Sequence, residues 1–258
     1  MHLGLLLAFY QIDMEVLKVQ DQATGQFNGG EIMEHKPIGF PQDGGSGRPY
    51  SNLFYWAHAW TDIGSTIGEH PHQGFEIMSF VLEGEIEHYD SQQQGWSKLA
   101  KGGAQVIRSG SGISHAEKLH KGAHMFQIWL DPDLSKSMYK PASYDDYHSH
   151  SFTFIEEKGY KVKTYAGQGG PMKLDTPGVE IVEMRFDSGD HTVKLDIEKV
   201  HSIYLLDSMA SIGGKQLESG DFVILRHEEE IRITAENEAA IFMVSSPLNL
   251  DYRTYIGT

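Results

Sequence analysis

Glu69 to Asp90 read EHPHQGFEIMSFVLEGEIEHYD, a run that holds three histidines and six acidic residues yet otherwise has the look of a core strand. In a strand, residues two apart project to one face. His70 and His72 therefore point together, and Glu76 joins them if the strand continues. Pro71 has no N–H to give to a sheet ladder, so it puts the pair at an edge or a strand start, a position that suits the rim of a barrel.

The rest of the chain keeps the same cadence. Turn signals recur at NGG (28–30), DGGSG (43–47), KGG (101–103), GSG (110–112), GQGGP (167–171), DSGD (187–190), IGG (212–214) and ESGD (218–221). Between them lie short apolar or alternating runs: Phe75–Leu82, Gln105–Ile107, Met125–Leu130, Val179–Phe186, Ser202–Leu206, Phe222–Leu225 and Ala240–Val244. Short strands punctuated by glycine turns predict an all-β sandwich or barrel. Long helical periodicity is absent. One or two short helices are expected at most, in SYDDYHSH (143–150) or near the C-terminus.

Two halves share a rhythm. VLEGEIEHYD followed by LAKGGAQVIRSGSGISH in the first is echoed by SIYLLDSMASIGGKQLESGDFVILRHEEEIRI in the second. We read this as two similar β modules joined near Tyr144–Lys163. The plainer alternative is one continuous β domain. The expected division is 1–145, which holds the paired histidines, and 146–258, in which His191, His201 and His227 stand alone.

Composition narrows the function classes. The chain has 258 residues, 40% hydrophobic and 22% charged, with Lys+Arg 21 against Asp+Glu 36 for a formal net charge of -15. That is an ordinary globular composition with room for a sizeable core. No run of Lys or Arg offers the basic patch of a nucleic-acid binder, and an acidic surface repels anionic membranes. A small molecule or a protein partner fits better. There are no cysteines, which excludes disulfides, zinc–thiolate sites and cysteine nucleophiles and is compatible with a reducing cytoplasm. The opening MHLGLLLAFYQIDMEVLKV lacks a basic start and a small-residue cleavage site, so it is not expected to be a leader. Met14, just before EVLKV, is an alternative initiator. No stretch reaches the roughly 18 apolar residues of a membrane span.

A second pair, His115 and Glu117 in GISHAEKLH, repeats the two-residue spacing. Two β segments, each offering a pair on one face, can gather three imidazoles and a carboxylate about one ion. Such a donor set suits Fe, Mn, Ni, Cu or Zn, and it leaves positions open for dioxygen, water or a chelating substrate. A purely structural zinc site would be closed and four-coordinate. His88, His120 and His124 lack the paired spacing and are expected to be ordinary. His88→Ala is accordingly expected to leave metal content unchanged. His148 and His150 are expected to be solvated.

These residues resemble the cupin superfamily and, within it, the pirin family. The first cupin motif reads here as Gly68, His70, His72, Glu76 and Gly84, and the second as Gly110, Gly112 and His115. HPHQGFE…VLEGEIEHYDS…SGSGISHAE is close to the pirin signature, and GFPQDGGSGRPYSNLFYWAHAW is similar to the segment that precedes it. The resemblance runs from Lys36 to about Pro132. It implies a bicupin: two antiparallel β-barrels packed together, the first holding one divalent metal. Iron is the expected ion, with Mn, Ni, Cu, Zn and Co compatible. Carried over by motif, the ligands are His70, His72, His115 and Glu117, whereas cupins in general use the carboxylate at the position of Glu76. With Glu117 as the ligand, Glu76 would orient a ligand or act on substrate. Gln73 departs from the family, which usually carries Arg after HPH.

Some pirin-like proteins are quercetin 2,3-dioxygenases and others are regulators working through protein contacts. The resemblance therefore implies a dioxygenase acting on a small aromatic chelator or, alternatively, an iron-bound regulatory protein without turnover. A third possibility is a metal-bearing scaffold. In the enzymatic reading Glu76 is the candidate base for the substrate hydroxyl.

Overall fold

The computed structural model describes residues 12–255. The apolar run Leu3–Phe9, weighed above as a leader, lies outside the described residues; Met14 opens the first strand, Met14–Leu17.

Among the described residues the strands pair with one another antiparallel, in four sheets. The first seven-stranded sheet runs Ser143–Tyr147, Ala104–Arg108, Glu76–Glu83, His124–Leu130, Leu53–Trp60, Ile32–Ile38 and Ala23–Phe27 in spatial order. It packs on a four-stranded sheet of Ser65–His72, Ile113–Leu119, Glu85–Asp90 and Trp96–Ala100. The second seven-stranded sheet runs Met14–Leu17, Phe222–Leu225, Lys199–Asp207, Ala239–Pro247, Glu180–Phe186, Tyr160–Ala166 and Phe154–Glu156. Its companion is formed by Gly189–Lys194, Glu230–Ala235, Met209–Ile212 and Lys215–Glu218. Each large sheet with its small partner makes one flattened barrel, and the whole is a bicupin.

The two large sheets lie back to back, and this explains their sequences. Along Glu76–Glu83, Ile77, Ser79 and Val81 face the lumen of the first barrel, while Met78 and Phe80 face the second barrel. Trp56, Phe80 and Phe126 meet Tyr204, Phe222 and Phe242 in one buried cluster. The Trp56 ring stands edge-on to those of Phe126, Phe222 and Phe242 at 5.3, 5.1 and 5.7 Å. A strand covered on both faces has nowhere to place polar residues, so FEIMSFVL and LFYWAHAW read as nearly unbroken apolar runs. The small sheets are wet outside, and Glu85–Asp90 alternates accordingly: Ile86, His88 and Asp90 are buried and the residues between them are half-exposed. The first lumen is filled by Ile32, Ala59, Val81 and Met125 of the large sheet against Ile67, Ile86, Leu99 and Leu119 of the small one. Each fully buried Ile, Leu, Val or Met side chain there contributes about 1.5–3 kcal/mol relative to exposure.

One expectation is corrected. SYDDYHSH is not helical: Ser143–Tyr147 is a strand paired with Ala104–Arg108, followed by the short 3-10 turn Ser149–Ser151. The one α-helix among the described residues is the single turn Leu134–Ser137, capped by the Asp133 side chain. Among the described residues no helix is long and apolar enough to cross a membrane.

Candidate metal centre

His70 and His72 end the strand Ser65–His72, and His115 lies on the neighbouring strand Ile113–Leu119, directly opposite His70. Opposite residues in an antiparallel pair share a face, which delivers the third imidazole to the first two. The approach to this rim depends on Gly110, whose φ is +50°. A Cβ there would stand 2.5 Å from the Lys140 carbonyl oxygen, so no other residue fits without displacing the loop.

The three histidines offer one nitrogen each within 4.8 Å of one another. His70 Nδ1 donates to the Gly68 carbonyl at 2.8 Å, which leaves its Nε2 as a lone pair. His115 Nε2 faces that lone pair at 3.1 Å. Two nitrogens each about 2.0–2.1 Å from one ion and at right angles to it would lie about 3 Å apart. His72 Nε2 is buried with no hydrogen-bond partner. An orphaned buried nitrogen beside two converging lone-pair positions is what a cation site needs, so the residues fit the ion that the motif implies. Burial first, and then the neighbouring imidazoles, push His72 and His115 down to about 3. The rings are therefore neutral and able to coordinate at physiological pH.

Glu117 is buried at the lumen, two residues past His115. Its carboxylate accepts from Ser79 Oγ at 3.1 Å and from Gln127 Nε2 at 2.5 Å. It lies close enough to His72 to oppose the fall in that group's pKa. It is not in the three-histidine group itself.

Glu76 is turned away. The chain breaks at Gly74, with φ +92°, and resumes in the other sheet, so the face shared by His70 and His72 does not extend to Glu76. Its side chain points with Met78 and Phe80 toward the second barrel. It is fully buried and accepts from Asp175 N at 2.7 Å, from Thr176 N at 2.8 Å and from Thr176 Oγ1. Burial pushes this carboxyl up against those hydrogen bonds. The candidate base is thus a bridge between the halves of the chain. Gln73, at the position where the family usually carries Arg, ties the rim by donating from Nε2 to the Ser111 carbonyl at 3.1 Å.

The mouth is aromatic. A hollow of about 320 Å³ beside His72 is lined by Phe40, Phe54, Phe75, Trp129 and Tyr255, with Leu134 and Met138 at its side. Trp129 stacks between Tyr55 and Phe75 at ring separations of 4.4 and 5.2 Å, and His72 stands edge-on to it at 5.3 Å. A wider hollow, lined by Gln73, Ser91 and Ser111–Ser114, opens on the other side of His72. A separate cleft between the barrels contains His58, His124 and Tyr204, far from this chemistry, and its ion pairs are closed on themselves.

His88 was expected to be ordinary. It is instead buried in the same lumen, its ring 5.4 Å from that of His115. The signal was the alternation of His88 and Asp90 on the buried face of EIEHYD. His120 pairs with Glu87 at the surface, and His124 meets His58 at 3.2 Å in the cleft.

Fold and site together define a bicupin whose first barrel carries a three-histidine group at its rim. Residues 49–130 match the family model described as Pirin, so this segment of the chain is similar to the pirins. A curated relative, the quercetin 2,3-dioxygenase of Escherichia coli (strain K12), is 24% identical over 190 residues, covering 72% of this chain and 78% of that protein. Among solved structures, the bacterial pirin of Escherichia coli in complex with nickel(II) superposes with a TM-score of 0.74 at 19% identity, over 91% of this chain and 99% of that one. A quercetin 2,3-dioxygenase from Acinetobacter baumannii gives 0.77 at 18% identity, over 91% of this chain and 79% of that one.

Proposed function

We propose that the chain is a metal-dependent dioxygenase of the quercetin 2,3-dioxygenase type, acting on a flat aromatic chelator. The ion is held by His70, His72 and His115, with Glu117 as the carboxylate donor. The observation that carries this reading is the convergence of three imidazoles on one point beside an aromatic slot. A divalent ion bound there supplies Lewis-acid and redox chemistry to a substrate that chelates through oxygen; iron is the expected metal.

The chain's own residues account for the rest. Trp129, Phe75 and Phe54 present apolar ring faces and edges that favour a planar aromatic ligand and exclude water from its flanks. Ser79 and Gln127 fix the Glu117 carboxylate in orientation. Glu76, fully hydrogen-bonded elsewhere, is not the base in this reading. We further propose the division into a first module that carries the site and a second without one, with Met14–Leu17 completing the second.

The test is elemental analysis of the purified protein, followed by aerobic and anaerobic assay with quercetin. Oxygen-dependent loss of substrate with release of carbon monoxide is the expected result. A metal-loaded protein that consumes no oxygen across a panel of aromatic chelators would move the reading to a regulatory protein.

A further inference from the structure

Behind the three histidines lie two buried groups that the proposed reaction does not use. On the strand Glu85–Asp90, Asp90 stands opposite His115 and His88 stands opposite Glu117. Opposed residues share a face, so all four side chains point into the lumen. His88 is 3% exposed and Asp90 0%.

Four polar atoms in this patch have no hydrogen-bond partner: both ring nitrogens of His88, Nδ1 of His115, and Oδ2 of Asp90. The other Asp90 oxygen is engaged, accepting from Gln92 N and Gln93 N at 2.8 Å each. The turn therefore fixes the carboxylate and leaves Oδ2 facing inward, 3.4 Å from His88 Nε2. Buried polar atoms without partners are costly and rare, and four together mark a network that is one adjustment from closing.

The protons balance in only one way when His115 gives its Nε2 lone pair to an ion. His115 then carries its proton on Nδ1 and needs an acceptor there. Neutral His88 has one donor and one acceptor, and Asp90 Oδ2 accepts. His88 Nε2–H directed to Asp90 leaves His88 Nδ1 to accept from His115 Nδ1–H. Two donors meet two acceptors and no atom is left over. The ring separation of 5.4 Å is closed by a small rotation or by one water.

We propose that Asp90 and His88 are positioning residues that hold His115 in its Nδ1–H tautomer and aim its Nε2 at the metal. The inference rests on the metal reading above. A coordinating imidazole depends on such outer partners, and their loss weakens metal binding about 10–100-fold.

The test uses cobalt(II) as the probe on the full chain, with affinity from competition against a chelator and geometry from the visible ligand-field spectrum. His88→Leu keeps the apolar volume but removes the acceptor; it is expected to weaken cobalt binding about 10–100-fold and to change the spectrum. His88→Asn, whose amide oxygen can occupy the place of Nδ1, is expected to recover most of the affinity. Asp90→Asn tests the relay from its far end and serves if His88→Leu does not fold by circular dichroism. The turn donors pin its amide oxygen, so its NH2 faces His88, forces the His88 proton onto Nδ1 and blocks the bond to His115. Its affinity is expected to fall like that of His88→Leu. If the parent binds cobalt and the folded variants bind equally tightly with the same spectrum, the relay is overturned and the metal reading stands. If the parent itself binds no cobalt, both fall.

Discussion

Replacing Glu76 by Ala separates two roles for one carboxylate. In a cupin read from its motif, Glu76 is a ligand or a base, and its loss would abolish metal or turnover. In the structure it bridges to residues 175 and 176, and its loss removes the acceptor for Asp175 N–H, Thr176 N–H and Thr176 Oγ1–H. Hydrogen bonds to a charged group contribute about 1.5–3 kcal/mol each, so three come to roughly 4.5–9 kcal/mol. Against this stands the relief of no longer burying a carboxylate, which amounts to several kcal/mol. The balance is a net loss of about 3 kcal/mol, which in a chain of this size lowers Tm by roughly 6–12 °C. Thermal unfolding by circular dichroism reads the shift, and elemental analysis of the same sample reads the metal. The expected outcome is a lower Tm with metal stoichiometry and quercetin turnover retained below the transition. An unchanged Tm with metal or turnover lost would refute the bridge and return Glu76 to the site.

The other predictions concern the ligands, the interface and pH. His72→Ala and His115→Ala should each lose most of the bound metal by elemental analysis, because one of few donors disappears. Glu117→Ala should also lose metal, and more of it than Glu76→Ala does. Trp56→Ala should destabilise the chain by about 3–5 kcal/mol in denaturant unfolding, since this ring is fully buried between the barrels. Burial first, then His124 and His35, push His58 down to about 4 from an ordinary 6.5. A depressed histidine binds protons more readily when unfolded, so its contribution is complete above the unfolded value and is lost as pH falls from 6.5 toward 4. His58→Phe should flatten the dependence of Tm on pH in that window.

Much of this architecture was legible because it is written in short-range patterns. Each apolar run read from the sequence, from Phe75–Leu82 to Ala240–Val244, falls on a strand, since a back-to-back pair of sheets imposes unbroken apolar stretches with glycine at the turns. The pair His70 and His72 was legible because period-2 geometry needs no knowledge of neighbours. The direction of Glu76 was not, because it depends on whether the chain stays in one sheet past Gly74, a tertiary choice. Ser143–Tyr147 is a strand because Ala104–Arg108 offers it an edge, and its own composition gives no such indication. His88 and Asp90 escaped notice because the meaning of their spacing comes from the strand opposite, Ile113–Leu119. The motif alone singles out Glu117; the sequence carries no sign that Ser79 and Gln127 hold its carboxylate, because both lie on strands of the facing sheet.

The short strand Met14–Leu17 pairs with Phe222–Leu225 at the edge of the second large sheet. On a ribosome its partner emerges roughly two hundred residues later, a separation of the kind that slows folding. Until the two meet, Met14–Leu17 and the sheet margin at Phe222–Leu225 each expose unpaired N–H and C=O groups, a template for wrong partners. Cutting the gene between the two halves would make that margin permanent: a C-terminal half made alone should aggregate, and adding a peptide of residues 12–18 should rescue it.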